Sequence, residues 1–135
     1  MDEIRFSNWK QPIIQERKLH PTYHFLVRHK DNLELGKNTD IGAFTYINAK
    51  YGVVIEKNVQ IGSHCSIYTI STIDDKRGKV IIKENARIGT HSTVMPGVTI
   101  GKNAMIGAYS FVNKNIPDAT IAYGIPIKII RKNKK

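Results

Sequence analysis

An aliphatic residue returns at every sixth position through most of this chain. Leu35, Ile41 and Ile47 form one run, and Ile55, Ile61 and Ile67 a second. Ile82, Ile88 and Val94 form a third, and Ile100, Ile106 and Val112 a fourth. A helix turning every 3.6 residues would scatter such positions around its circumference. Six is a multiple of the strand period of two, so positions i and i+4 of each hexapeptide face the same way, with a turn between short strands. The i+4 residues are mostly small, as at Thr39, Thr45, Cys65, Ser71, Ala86, Ser92, Val98, Ala104 and Ser110. Large at i and small at i+4 describes a narrow interior. Three hexapeptides close one coil, and stacked coils bury what a single coil leaves open. The expected fold is all-β, a parallel β-helix of about four to five coils.

A second pattern fixes the phase. Asn38, Asn58, Asn85 and Asn103 occupy the fourth position of each opening hexapeptide, and Asn tolerates the left-handed conformation of a tight corner. The same position on the second side holds Phe44, His64, His91 and Tyr109. In this register they form a column with a rise of roughly 4.8 Å per step. Gly follows the aliphatic position at Gly36, Gly42, Gly62, Gly89, Gly101 and Gly107. Two interruptions break the rhythm: a short one over 49–54 and a longer polar one over 73–81, IDDKRGKVI. Residues 1–34 lack the repeat and are expected to cap the open end, with a strand over Tyr23–Val27 and Pro21 blocking a long helix. The β-helix domain then runs over 35–131, its far end closed by Ile116–Ile130, and a basic tail occupies 132–135.

Composition narrows the partners. The net charge is +10, yet aromatics make up only 8% and no basic block is interleaved with them. A stacking surface for nucleic acid is therefore not expected, and small polyanions remain. The basic stretch Lys128–Lys135 is either a solvated end or an attractor of phosphates. No apolar run approaches the ~18 residues of a membrane span. The start, MDEIRFSNWK, has no apolar core of a secretory signal, and the single Cys65 has no internal disulfide partner. Both fit a reducing cytoplasm. Cys65 itself reads as a buried core thiol.

These residues resemble the hexapeptide-repeat acyltransferases, in particular the galactoside and maltose O-acetyltransferases and related bacterial sugar acetyltransferases. The similarity spans roughly 35–131 and is most specific in IGTHSTVMPGVTIGKNAMIGAYSFVNKNIPDATIAYGIPIKIIR. Its close, GIPIKIIR, resembles the family ending G-x-P-x-K/R-x-I-R. The resemblance implies a left-handed winding, a homotrimer with active sites between subunits, and acetyl-CoA as co-substrate in the groove between neighbours, with no metal. The family's CoA-lining positions fall on Thr90, Ala108, Asn113, Lys114, Lys128 and Arg131. Small residues at Thr90 and Ala108 would let a pantetheine arm lie against the backbone. The three cations would meet phosphates as charge-assisted donors, or simply be solvated. Asn48, in INAKYG, falls where the family carries a polar site Asn that would hold the acceptor or the thioester carbonyl; its plain alternative is a turn former.

One departure matters. The O-acetyltransferases carry a general-base His just after the second coil, in a segment resembling IYTATHP. Here the segment reads IYTISTIDDKRG, so that place falls on Thr72, and no His lies between His64 and His91. Either another group is the base, with His64, Asp74 and Asp75 as candidates, or the acceptor is an amine that needs no strong base. The loop acids would then orient an ammonium or a sugar hydroxyl. The favoured expectation is acetyl-CoA-dependent N-acetylation of an amino sugar, nucleotide-linked, in bacterial glycan or lipopolysaccharide synthesis. Sugar O-acetylation is the alternative. A γ-type carbonic anhydrase would need a third zinc ligand beside His64 and His91, and His20, His24 and His29 lie in the cap. A non-catalytic solenoid would need neither the GIPIKIIR ending nor the polar loop.

Overall fold

The protein is seen here as a computed structural model, which describes residues 8–133. Met1–Ser7 and Lys134–Lys135, which hold part of the expected cap and tail, lie outside the described residues. Strand β1 (Leu26–Arg28) precedes the first full coil, β2 (Leu33–Leu35), β3 (Asp40–Ile41) and β4 (Tyr46–Asn48). The second coil is β5 (Val53–Ile55), β6 (Gln60–Ile61) and β7 (Ser66–Tyr68), followed by a small hairpin, β8 (Ile70–Ser71) and β9 (Lys76–Arg77). The third is β10 (Val80–Ile82), β11 (Arg87–Ile88) and β12 (Thr93–Val94); the fourth is β13 (Thr99–Ile100), β14 (Met105–Ile106) and β15 (Phe111–Val112). Strands β16 (Thr120–Tyr123) and β17 (Lys128–Lys132) finish the chain.

Each coil contributes one strand to each of three sheets. The first face orders β13-β10-β5-β2, the second β17-β16-β14-β11-β6-β3, and the third β1-β4-β7-β12-β15. All pairings between coils are parallel. The register stacks like on like: Leu35, Ile55, Ile82 and Ile100 on one face, Ile41, Ile61, Ile88 and Ile106 on the next, Ile47, Ile67, Val94 and Val112 on the third. All are buried except Leu35 on the end coil. Each fully buried Ile or Val contributes on the order of 1.5–3 kcal/mol, so the columns, not local propensity, hold strands of two or three residues in place.

The corners explain the polar half of the repeat. Asn38, Asn58, Asn85 and Asn103 sit at φ 56, 63, 64 and 59°, turning the first face into the second. At the second corner Phe44, His64, His91 and Tyr109 are also left-handed, as is His24 one coil earlier. A left-handed non-glycine costs roughly 1–2 kcal/mol, and rings gain about 0.5–1.5 kcal/mol per stacked pair. The rings do stack: His64 lies 4.7 Å from His91 with planes 4° apart, and His91 lies 4.8 Å from Tyr109. Phe44 continues the column to His64 at 5.3 Å.

Three details differ from expectation. The strand expected over Tyr23–Val27 is β1, Leu26–Arg28, because left-handed His24 and the His24 N–H to His20 carbonyl bond hold a turn there. That strand is already the first rung of the third face, inside the stretch expected to cap. Ser71 does not point inward. The hairpin removes it from the wall, and Val80, paired with Val53, takes the small place after Ile67. Before β1 the chain runs across the open end: Trp9 donates to the Thr39 carbonyl, Gln11 to that of Leu35, and the Arg17 N–H to that of Val27. At the far end β17 folds back antiparallel on β16.

Candidate functional site

The third corner, where the third face turns into the first, gathers most of the chemistry. Asn48 ends β4 one residue after inward Ile47, so it faces outward together with Tyr46. Its Oδ1 accepts the Lys50 N–H at 3.2 Å, which fixes which end of the amide is oxygen. Its Nδ2 reaches the Tyr46 hydroxyl at 3.4 Å, a weak contact that leaves the other N–H for a substrate. Fully buried Thr69 holds the turn: its hydroxyl donates to the Asn48 carbonyl at 2.8 Å and accepts the Tyr51 N–H at 3.0 Å. Asn48 is therefore both turn former and preset amide donor.

The hairpin β8–β9 projects from this corner. Asp74 pairs with Lys76 at 3.5 Å and Asp75 with Arg77 at 2.9 Å. A Ser71 hydrogen bond, helped by Lys76, holds the Asp74 carboxyl below its usual range, which makes it a weaker base. The Asp75 hydrogen bond pushes the Arg77 guanidinium up. Arg77 also lies over the Tyr51 ring at 5.8 Å and donates to its hydroxyl at 3.5 Å. Through Tyr51 and Thr69 the hairpin is tied to Asn48. Thr72, where the family's His would stand, is exposed on the hairpin.

His64 is elsewhere. It sits at the second corner, four residues before Tyr68, whose Cα pairs with that of Asn48. Four strand residues span about 13 Å, so within one chain His64 and Asn48 stand at opposite ends of the third face. Thr90 and Ala108 lie at the His64 corner. The Thr90 hydroxyl donates to the Ser63 carbonyl at 2.8 Å and meets His91 Nδ1 at 2.9 Å. Ala108 is exposed, and its backbone N lies 2.5 Å from where a Cβ on Gly89 would fall. Asn113 and Lys114 are exposed after β15, on the third corner about three rungs from Asn48. Lys128 and Arg131 are exposed on β17, opposite Tyr123 and Ile121. The candidate cofactor positions thus lie on more than one corner of a single chain. Among the described residues no three His, Cys, Asp or Glu side chains converge as metal ligands.

Comparison with known proteins decides the family. The Bacterial transferase hexapeptide (six repeats) model matches residues 79–114. YJL218W of Saccharomyces cerevisiae, provisionally named an acetyltransferase, is 35% identical over 93% of this chain and 72% of its own length. The chain belongs to the hexapeptide-repeat acetyltransferases. Within this acetyltransferase family, the galactoside O-acetyltransferase of Lactococcus lactis is 38% identical over 72% of this chain, which spans 54% of that protein. A galactoside acetyltransferase solved with coenzyme A superposes with a TM-score of 0.74 at 28% identity, covering 82% of this chain and 60% of that one. A variant of AntD, an N-acyltransferase from Bacillus cereus solved with dTDP-4-amino-4,6-dideoxyglucose and coenzyme A, superposes with a TM-score of 0.58 at 27% identity, covering 82% of this chain and 71% of that one. The chain spans about half the length of the curated galactoside relative.

The surroundings of Asn48 carried no motif of their own: Tyr46, Tyr68 and Thr69 lie within the repeat and Tyr51 in its first interruption. The available signal was alternation: Tyr46 and Asn48 flank an inward Ile, so both face out. The small residues of the second corner also do more than fit. Thr45 donates to the Gly62 carbonyl at 2.9 Å, Cys65 Sγ to that of Gly89 at 3.3 Å, and Ser92 to that of Gly107 at 3.2 Å. Burial raises the Cys65 thiol, as befits a structural donor.

Proposed function

We propose that this protein transfers an acetyl group from acetyl-CoA to the amine of a nucleotide-linked amino sugar, in bacterial glycan or lipopolysaccharide synthesis. The observation that carries the reading is the third corner itself. It offers a preset amide donor at Asn48, and the hairpin acids Asp74 and Asp75 are ion-paired and exposed rather than poised as bases. A hydroxyl acceptor needs its proton taken as it attacks the thioester; a neutral amine attacks unaided and loses its proton afterwards. In this reading Asn48 donates to the thioester oxygen as negative charge develops there. Asp74 or Asp75 exchanges its hairpin partner for the substrate's ammonium or hydroxyl. Acetyl-CoA lies in a groove between copies of a cytoplasmic homotrimer. Thr90 and Ala108 flank its arm, with Asn113 beside it, and Lys114, Lys128 and Arg131 meet its phosphates. The spread of these residues over separate corners of one chain supports a trimer in which neighbouring copies bring those corners together. AntD, solved with an amino-sugar nucleotide, supports the acceptor class.

O-acetylation is the second reading, favoured by the galactoside O-acetyltransferase relatives at 38% and 35% identity. With His64 as base, it needs His64 of one copy to act at Asn48 of another, since one chain keeps them apart; with Asp74 or Asp75 as base, the carboxylate must first leave Lys76 or Arg77. The deciding measurement is release of free CoA from acetyl-CoA. The panel holds nucleotide-linked amino sugars, the matched nucleotide sugars without the amine, and simple galactosides. Release with the amine set alone is expected, with Asn48→Ala lowering kcat by about 100-fold. Release with the hydroxyl sugars would overturn the amine reading, and its loss in His64→Ala would name the base.

A further inference from the structure

Arg28 ends β1, and its Cα pairs with that of Asn48, which in turn pairs with Tyr68. The three side chains therefore stand on successive rungs of one outward column, with Arg28 about 4.8 Å below Asn48. Among the described residues, the Nε of Arg28 is a buried side-chain nitrogen with no hydrogen-bond partner. Two acids around this turn have partners of their own. Glu16 accepts the backbone N–H groups of His29 and Lys30, and Asp31 pairs with Lys30. On the next turn of this corner Lys50 and Arg77 lie at 5.8 Å over the Tyr51 ring. A guanidinium without a counter-charge, shut from solvent at one donor, is costly to keep beside further cations. Such a residue suits an arriving oxyanion, which a planar fork binds through two donors at once.

We infer that Arg28 is a specificity-determining residue that binds a phosphate of the acceptor, holding the nucleotide diphosphate while Asn48 donates to the oxygen of the thioester that the amine attacks. This rests on the amino-sugar reading above. The adjacency gives a reason: a diphosphate and the sugar carrying it extend over several ångströms, so successive rungs can meet successive parts of one substrate. Phosphates of CoA share the same chemistry, and the experiment separates the two sources.

Arg28→Gln and Arg28→Lys are made in the full chain, with thermal melts to confirm folding. Titration with inorganic pyrophosphate is expected to show binding to the parent protein, weakened about tenfold or more in Arg28→Gln and partly restored in Arg28→Lys. Acetyl-CoA affinity is expected to stay unchanged. In turnover, Arg28→Gln should raise KM for the nucleotide-linked amino sugar and leave the free amino sugar untouched. Equal losses on both acceptors, or unchanged pyrophosphate affinity, would overturn the assignment. Weakened acetyl-CoA binding with acceptor preference intact would overturn it in favour of the cofactor's phosphates. If Arg28→Gln does not fold, Arg28→Lys decides by the same split between acceptors. Failure of the parent to acetylate any sugar would refute the amino-sugar reading, while the pyrophosphate titration would still decide whether Arg28 binds phosphate.

Discussion

Gly89 follows the wall residue Ile88 and Gly97 follows Pro96, and the two should respond differently to the same substitution. A Cβ on Gly89 would fall 2.5 Å from the backbone N of Ala108 in the next coil, whereas one on Gly97 meets nothing within 4 Å. Gly97 instead sits at φ +82°. Gly89→Ala is expected to push coils apart at about 1–3 kcal/mol, and Gly97→Ala to cost about 1 kcal/mol through backbone strain alone. Denaturant midpoints of the two variants test the order; a larger loss in Gly97→Ala would contradict it. At this scale the pattern was readable where one residue type has one job. Asn at the first corner announced its left-handed backbone, and His64 and His91 tolerate it better than most residues, but Phe44 and Tyr109 did not announce it, because their side chains have no local preference for that conformation. Stacking between coils offsets it, and stacking is a property of the column.

The hairpin is an insertion into an otherwise regular element. Ile55 and Ile82 are paired at a separation of 27 residues, against 18 for Ile82 and Ile100, which leaves nine extra. Deleting residues 71–79 would place Val80 four after Ile67 and restore the shorter coil. The expected outcome is a cooperative melt near that of the parent, with acetyl transfer lost. Retained transfer would show that the hairpin, Asp74 and Asp75 are dispensable. The excursion's place was legible from the broken period, but its internal pairing was not. Lys76 and Arg77 follow the two acids directly, and only the return of β9 against β8 decides that each neutralises its near neighbour. Ser71 was misread for the same reason: spacing cannot tell a wall residue from the first residue of a departure.

For the whole molecule, a charge of +10 on 135 residues should govern encounters with polyanions. KM for acetyl-CoA is expected to rise with added salt between about 50 and 500 mM, while kcat changes little, because screening acts on approach and phosphate contacts. A KM indifferent to salt would argue against Lys114, Lys128 and Arg131 as phosphate contacts. The architecture was legible because each coil repeats the last. The site was legible only in pieces, because Asn48 and His64 occupy different corners and a linear pattern does not say which corners meet.

A ladder of parallel strands has no inherent length. Its last rung offers the next chain the same open N–H and C=O groups that its own coils use, so an unsealed stack would grow into a fibre. At one end the segment through Trp9, Gln11 and Arg17 spends its donors on that rim. At the other, β17 reverses direction and presents Lys128, Arg131 and Lys132 at the margin, where like charges repel a second copy arriving edge-on. The basic ending that would hold a cofactor thus also makes the molecule finite.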